Sequence, residues 1–149
     1  MKKIIFFAGV SIFLHNYIIY SISEGGIIMA LHNKIGEIGE KIAVKYLRKE
    51  GYYIVERNYR NKFGEIDIIA AKDDYTIFIE VKSRSSENYI DLAQSLYQKQ
   101  LHHLRRAAIF YFAEKNIHLS SIRFDLIALK IDPAARKIDK LKHFKNIID

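Results

Sequence analysis

The chain contains no cysteine, a single proline (Pro133), and no internal repeat or low-complexity tract. The missing cysteines exclude a disulfide framework, a thiolate zinc site and a cysteine nucleophile together. A reducing compartment is compatible with that absence, and the cytoplasm is the expected location. Apolar residues are not scarce: they make up 50% of the 149 residues, against 28% charged, so the chain lacks the hydrophobe-poor composition that keeps proteins unfolded. This length supports one hydrophobic core and not two comfortable ones. A formal charge of +7 and a pI near 9.5 favour anionic partners, either nucleic acid or an anionic membrane surface, and charge alone does not choose between them.

Met1 to Ile22 reads unlike the rest. Lys2 and Lys3 precede an apolar run from Ile4 to Leu14, His15 and Asn16 interrupt it, and a second apolar stretch reaches Ile22. A secretory signal would have this basic start, with Ser21 and Ser23 as small cleavage-site residues. A membrane anchor is not expected, because His15 and Asn16 break a stretch that barely reaches the roughly 20 residues a span needs. The preferred reading is that translation begins at Met29. Codons for Glu24-Gly25-Gly26 are necessarily purine-rich and resemble a bacterial ribosome-binding site just upstream of it. Residues 1–28 are then an upstream extension outside the fold, and residues 29–149 form the domain. From Met29 onward the charge is still +6, since only Lys2, Lys3 and Glu24 are lost, so the basic character belongs to the domain.

Ile35, Ile38, Ile42, Ala43, Tyr46 and Leu47 fall at helical spacing, and Gly51 supplies a stop. Tyr52 to Tyr59, Glu65 to Ala71 and Tyr75 to Lys82 are rich in Ile, Val, Tyr and Phe and read as strands. A helical stretch follows from about Leu92 to Lys115, then a strand from Ile122 to Ile131 ended by Asp132-Pro133, with Lys137 to Phe144 as a candidate fifth strand. This order predicts an α/β fold in which helices flank a mixed central β-sheet.

The chemistry concentrates in Gly64-Glu65-Ile66-Asp67 and Glu80-Val81-Lys82. Strand alternation puts Glu65 and Asp67 on one face with Ile66 and Ile68 on the other, and Glu80 and Lys82 opposite Ile79 and Val81. A hairpin centred on Asp73-Asp74 sets Asp67 against Glu80 and Glu65 against Lys82. Opposed carboxylates repel, so a fold that brings them together needs something to hold them, and a hard divalent cation, Mg²⁺ or Mn²⁺, is the natural candidate. Asp67, Glu80 and the backbone carbonyl of Val81 would be its ligands, and Lys82 would orient a water or neutralise developing charge. On the first helix Glu40 falls at the edge of the apolar stripe while Glu37 points away. Gly39 lies within the stripe, where close approach of helix to sheet would offset its poor helix propensity and bring Glu40 towards the metal.

Glu40, Asp67 and Glu80-Val81-Lys82 together resemble the active-site pattern of the PD-(D/E)xK nucleases, in particular the archaeal Holliday junction resolvases. More narrowly, Gly36-Glu37-Ile38-Gly39-Glu40, Gly64-Glu65-Ile66-Asp67 and Glu80-Val81-Lys82 resemble the uncharacterised bacterial YraN-like family. The resemblance covers about Leu31 to Phe144. It implies a restriction endonuclease-like core, metal binding by Asp67 and Glu80, a catalytic role for Lys82, a supporting role for Glu40, and DNA, branched or damaged, as substrate. Ile66 stands where the family name has proline, a position where proline is often absent. No small-molecule cofactor is implied. Resolvase activity would require a homodimer, and no dimer face can be read from the residues.

On the second helix Lys99, His102, His103 and Arg106 form a cationic stripe opposite Leu101, Leu104, Ala108 and Phe112. Phosphate oxygens are its natural partners, a solvated helix face the plainer reading. Gln100 resembles a polar helix residue near the site in some related nucleases. A Glu-x-Lys strand end is common by itself, and a Glu65–Lys82 ion pair would be an ordinary one. The alternative to a metal-dependent endonuclease is therefore a non-catalytic nucleic-acid-binding module on the same basic face, with RNA open as a ligand in either case. His15, His32, His118 and His143 lack ligand-like spacing and read as surface residues. Asp125 is expected to pair with a nearby base, and Tyr46, Tyr52, Tyr53 and Tyr59 to be core.

Overall fold

In the computed structural model, residues 24–85, 88–115, 121–132 and 137–147 are described. The apolar stripe of the first helix, α1 (Glu24–Lys49), sinks Ala43, Val44 and Leu47 into the core, with Ile35, Ile38, Ile42 and Tyr46 at its margin. The helix runs through Met29 and starts well before the amphipathic pattern. Its end is a glycine-terminated cap: Gly51, at φ 81°, donates to the Arg48 carbonyl at 3.1 Å and Tyr52 donates to that of Leu47 at 2.9 Å. Tyr52 and Leu47 are both buried in the same cluster, the apolar contact that accompanies this cap.

Two hairpins follow, β1 (Tyr53–Asn61) with β2 (Gly64–Lys72), and β2 with β3 (Tyr75–Arg84), the second turning at Asp73, which takes φ 52°. Helix α2 (Tyr89–Lys115) carries the chain to β4 (Ser121–Asp132), parallel to β3, and β5 (Lys137–Phe144) returns antiparallel. The strand order is β1-β2-β3-β4-β5. One face of the sheet carries α1, against Ile68, Ala70, Ile77, Ile79, Ile127 and Leu129. The other carries α2, against Ile69, Phe78, Leu126 and Ala128. Covered on both faces, β3 and β4 carry consecutive apolar residues at Ile77–Ile79 and Leu126–Leu129, and each of Ile77, Phe78 and Ile79 contributes about 1.5–3 kcal/mol through its complete burial.

The β1–β2 hairpin departs from strict alternation. Ile66 should share the α1 face with Ile68, yet it lies in the α2-side cluster beside its cross-strand partner Tyr59. Between the pairs Arg57↔Ile68 and Tyr59↔Ile66 sits Asn58, in the left-handed region at φ 52°. Here the hairpin turns over. Beyond this point it lies on α2: the Tyr59 hydroxyl donates to Glu114 at 2.5 Å, Asn61 Nδ2 donates to the Ala107 carbonyl at 3.1 Å, and the Phe63 and Phe110 rings meet at 5.8 Å. The expected common face for Ile66 and Ile68 is corrected by this turn.

The architecture is an α/β restriction endonuclease-like core, a five-stranded mixed sheet between flanking helices. Among the described residues no helix is long and apolar enough to cross a membrane. The expectations for Met1 to Ile22, and those for His15 and His118, lie outside the described residues.

Candidate active site

The β2–β3 ladder runs from Lys72↔Tyr75 to Ile68↔Ile79, the register expected of a hairpin centred on Asp73-Asp74. Continued by one residue it would set Asp67 against Glu80, but the ladder stops there, because β2 is leaving for α2. Asp67 fills the opening: its Oδ2 accepts the Val81 N–H at 2.7 Å. A strand residue projects its N–H and C=O to the same edge, so the Val81 carbonyl faces this opening too. Glu80 is 7% exposed and accepts a charge-assisted hydrogen bond from Lys82 Nζ. The expected cross-strand partnership of Glu65 with Lys82 does not form. Glu65 pairs instead with Arg60 at 3.1 Å on the surface, since the turn at Asn58 carries it away from β3.

The electrostatics follow from this burial. Removal from water, then the negative charge of Glu80, push the Asp67 carboxyl up to about 7, against the opposing pull of the Val81 N–H and Lys82. Glu40 adds to the upward push on Asp67, so it lies within its electrostatic reach. Glu40 itself is raised, chiefly by burial, while a hydrogen bond with the Asn58 side chain and the charge of Arg57 oppose the shift. The helix that carries it is held unusually close. A Cβ on Gly39 would stand 1.8 Å from Ser83 Oγ and 3.0 Å from Ser83 Cβ, whereas one on Gly36 would meet nothing within 4 Å. The close approach expected at Gly39 is present, and it sets the depth of Glu40.

Asp67, Glu80 and the Val81 carbonyl are an all-oxygen set of the kind hard divalent cations take. Among the described residues no three His, Cys, Asp or Glu side chains gather closely enough to hold an ion, so Glu40 contributes charge and not a third close carboxylate. Two carboxylates and a carbonyl nevertheless fit Mg²⁺ or Mn²⁺, which fill their remaining positions with water and substrate phosphate. The chemistry of the donors supports the fit, since a cation would relieve the Asp67–Glu80 repulsion that now raises Asp67.

Lys99, Gln100, His102, His103 and Arg106 are all exposed on α2, while Leu104, Ala108 and Phe112 are buried. Sequence reasoning missed Asn58 and Arg57, which bear on Glu40. An asparagine inside a strand-like run was the available signal, because asparagine tolerates the left-handed region. His143, expected at the surface, has its side chain only 3% exposed: its Nε2 lies 2.8 Å from Asp125 Oδ2 and its Nδ1 3.4 Å from the Tyr46 hydroxyl. Asp125 pairs with a base as expected, at 2.9 Å from the Arg123 guanidinium, and it also accepts the Asn146 N–H at 2.9 Å. Burial alone would raise Asp125, but the hydrogen bonds from His143, Arg123 and Asn146 hold it below the ordinary carboxylate range. Tyr52 and Tyr59 are core, whereas Tyr53 is exposed.

Residues 39–129, which carry Glu40, Asp67 and Glu80-Val81-Lys82, match the model of the uncharacterised protein family UPF0102. The chain belongs to UPF0102. This is the YraN-like family. It is 32% identical over 111 residues to a UPF0102 protein of Syntrophomonas wolfei, covering 74% of this chain and 96% of the relative. A UPF0102 protein of Syntrophus aciditrophicus is 36% identical over 114 residues, covering 76% and 90%. Another UPF0102 protein, from Sulfurihydrogenibium, is 40% identical over 95 residues, covering 64% and 83%.

Proposed function

We propose that this UPF0102 chain is a metal-dependent endonuclease that hydrolyses phosphodiester bonds in DNA, branched or damaged DNA being the substrate the resemblance implies. The observation that carries the proposal is the interrupted β2–β3 ladder. It leaves two neighbouring carboxylates, half-buried Asp67 and buried Glu80, with Lys82 at one opening in the sheet. Bound there by Asp67, Glu80 and the Val81 carbonyl, Mg²⁺ or Mn²⁺ would polarise the scissile phosphate and lower the pKa of a bound water.

The chain's own groups do the rest. Asp67 and Glu80 orient what binds in the opening, and the Val81 N–H fixes the Asp67 carboxylate. Lys82 Nζ, now donating to Glu80, holds a positive charge beside the position of the phosphate and can orient the attacking water. Glu40 adds negative charge that favours cation entry. The α2 stripe of Lys99, Gln100, His102, His103 and Arg106 would hold the DNA backbone. The proposed setting is the cytoplasm, and symmetric cutting of a four-way junction would need a two-fold pair of chains.

The test is cleavage of branched, flapped and linear DNA with Mg²⁺ or Mn²⁺, by the parent beside Asp67→Ala and Lys82→Ala. Cleavage by the parent and its loss in both variants is expected. Binding that survives both substitutions, with no cutting by the parent on any DNA, would make the chain a binding module instead.

A further inference from the structure

The turn joining β1 to β2 is tied down on both sides. Within it, the Phe63 N–H donates to Asn61 Oδ1 at 2.8 Å, and Asn61 Nδ2 donates to the Ala107 carbonyl of α2. A Cβ on Gly64 would lie 3.7 Å from the Cβ of His103, so turn and helix touch. Two cations are gathered here. The Arg106 guanidinium sits 4.3 Å from the Phe63 ring centre, and Lys62 Nζ lies 5.2 Å from Phe63 and 5.4 Å from Phe110. Among the described residues neither Lys62 nor Arg106 is paired with a carboxylate. Both are exposed, and the rings hold them in place at little entropic cost to a ligand.

We propose that this hairpin tip is a second phosphate-binding element, in which Lys62, with Arg106, grips the DNA backbone beside the cleavage site. The proposal rests on the nuclease reading and extends it from α2 to the hairpin. Gly64 and Asp67 are three residues apart on β2, about 10 Å at strand rise. At about 3.4 Å of axial rise per nucleotide, a phosphate held at the tip lies about three nucleotides from the one at Asp67. The contact is to phosphate and not to bases. Phe63 is half-buried, edge-on to Phe110 and has Arg106 over its ring, which makes it a poor platform for stacking. The turnover at Asn58 thereby opens the β2–β3 ladder at Asp67 and also lays a cationic tip alongside it.

The experiment uses the full chain in EDTA, with labelled four-way and linear DNA and a matched RNA duplex, and measures affinity by anisotropy between about 50 and 200 mM salt. Lys62→Gln is expected to lower the slope of log affinity against log salt by about 0.9, so that the loss across this range shrinks by about 3.5-fold, equally for unrelated sequences. Lys62→Arg should keep the parent slope. Lys49→Gln, at the end of α1, is the control and should leave the slope unchanged. A parent that binds with a slope untouched by Lys62→Gln overturns the hairpin contact while sparing the nuclease reading, and an equal effect of Lys49→Gln overturns it too. A parent without salt-dependent DNA affinity sinks both readings, and tighter binding of the RNA duplex overturns the assignment to DNA.

Discussion

Gly36 and Gly39 lie one turn apart on α1 and should respond to alanine in opposite directions. In an open helix position, Gly→Ala gains about 1 kcal/mol of helix propensity, and Gly36, where an added methyl would meet nothing within 4 Å, is such a place. At Gly39 the new Cβ would stand 1.8 Å from Ser83 Oγ, and rotating the hydroxyl away still leaves Ser83 Cβ at 3.0 Å. Since that Cβ is fixed to a buried strand, α1 itself must retreat. Overpacking of this kind costs about 1–3 kcal/mol, which offsets or exceeds the propensity gain and leaves a net loss of up to about 2 kcal/mol. Urea denaturation of both variants reads the difference. Adding Ser83→Gly to Gly39→Ala removes the clashing atoms and should show a favourable coupling of about 0.5–3 kcal/mol. Because Glu40 follows Gly39, the proposed cleavage should fall further in Gly39→Ala than its stability loss explains. Gly39→Ala as stabilising as Gly36→Ala would refute the reasoning.

Asp67→Asn keeps an acceptor for the Val81 N–H and removes the charge facing Glu80. The parent carboxyl is raised from 3.8 to about 7 in the fold, so the folded chain binds the extra proton between those values and metal-free stability should decline as pH rises through about 7. Asp67→Asn should flatten that decline and exceed the parent at pH 8 by up to about 4 kcal/mol, the equivalent of roughly three pKa units; a parent with no decline over this window would contradict it. Mg²⁺ or Mn²⁺ at about 100 times its dissociation constant should stabilise the parent by about 2.7 kcal/mol and leave Asp67→Ala unmoved in thermal melts. Asp125→Ala strands Arg123, His143 and the Asn146 N–H, and chemical denaturation should show a loss of about 3–5 kcal/mol. Because Asp125 is depressed in the fold, its contribution is present above the unfolded value near 3.9 and disappears as pH falls through the folded one, so the parent and Asp125→Ala should converge in acid.

Among the described residues both helices and all five strands were legible from periodicity, apart from the start of α1, since burial on one or two faces leaves its mark on residue order. The β2–β3 register was legible as well, as far as Ile68↔Ile79, because a two-residue turn at Asp73-Asp74 fixes the pairs behind it; Asp67 and Glu80 lie one residue past the end of that ladder. Strict alternation failed at Asn58, where the hairpin end gains contacts to Tyr111, Ala107 and Phe110 by turning over. Those contacts lie some fifty residues away in sequence, and local pattern carries no record of them; Glu65 was therefore placed beside Lys82. The burial of His143 was hidden for a similar reason. Its partner Asp125 lies on the neighbouring strand, and alternation along Lys137 to Phe144 does not reveal which side of β5 meets a buried acid.

Strands adjacent in the sheet are also consecutive in the chain, and among the described strand pairs only β3 and β4, joined through α2, are distant in sequence. Asp67 and Glu80 lie one residue past the ladder that the short Asp73-Asp74 turn closes, within electrostatic reach of each other, and such a local closure is completed within about 1–10 μs. Their repulsion is thus present from the earliest stage of assembly, before the slower crossover reaches β4. It acts as a local conflict in an otherwise consistent folding landscape. Neutralising Asp67 should accordingly quicken refolding as well as slow unfolding, which places the kinetic brake on the same carboxylate as the proposed chemistry.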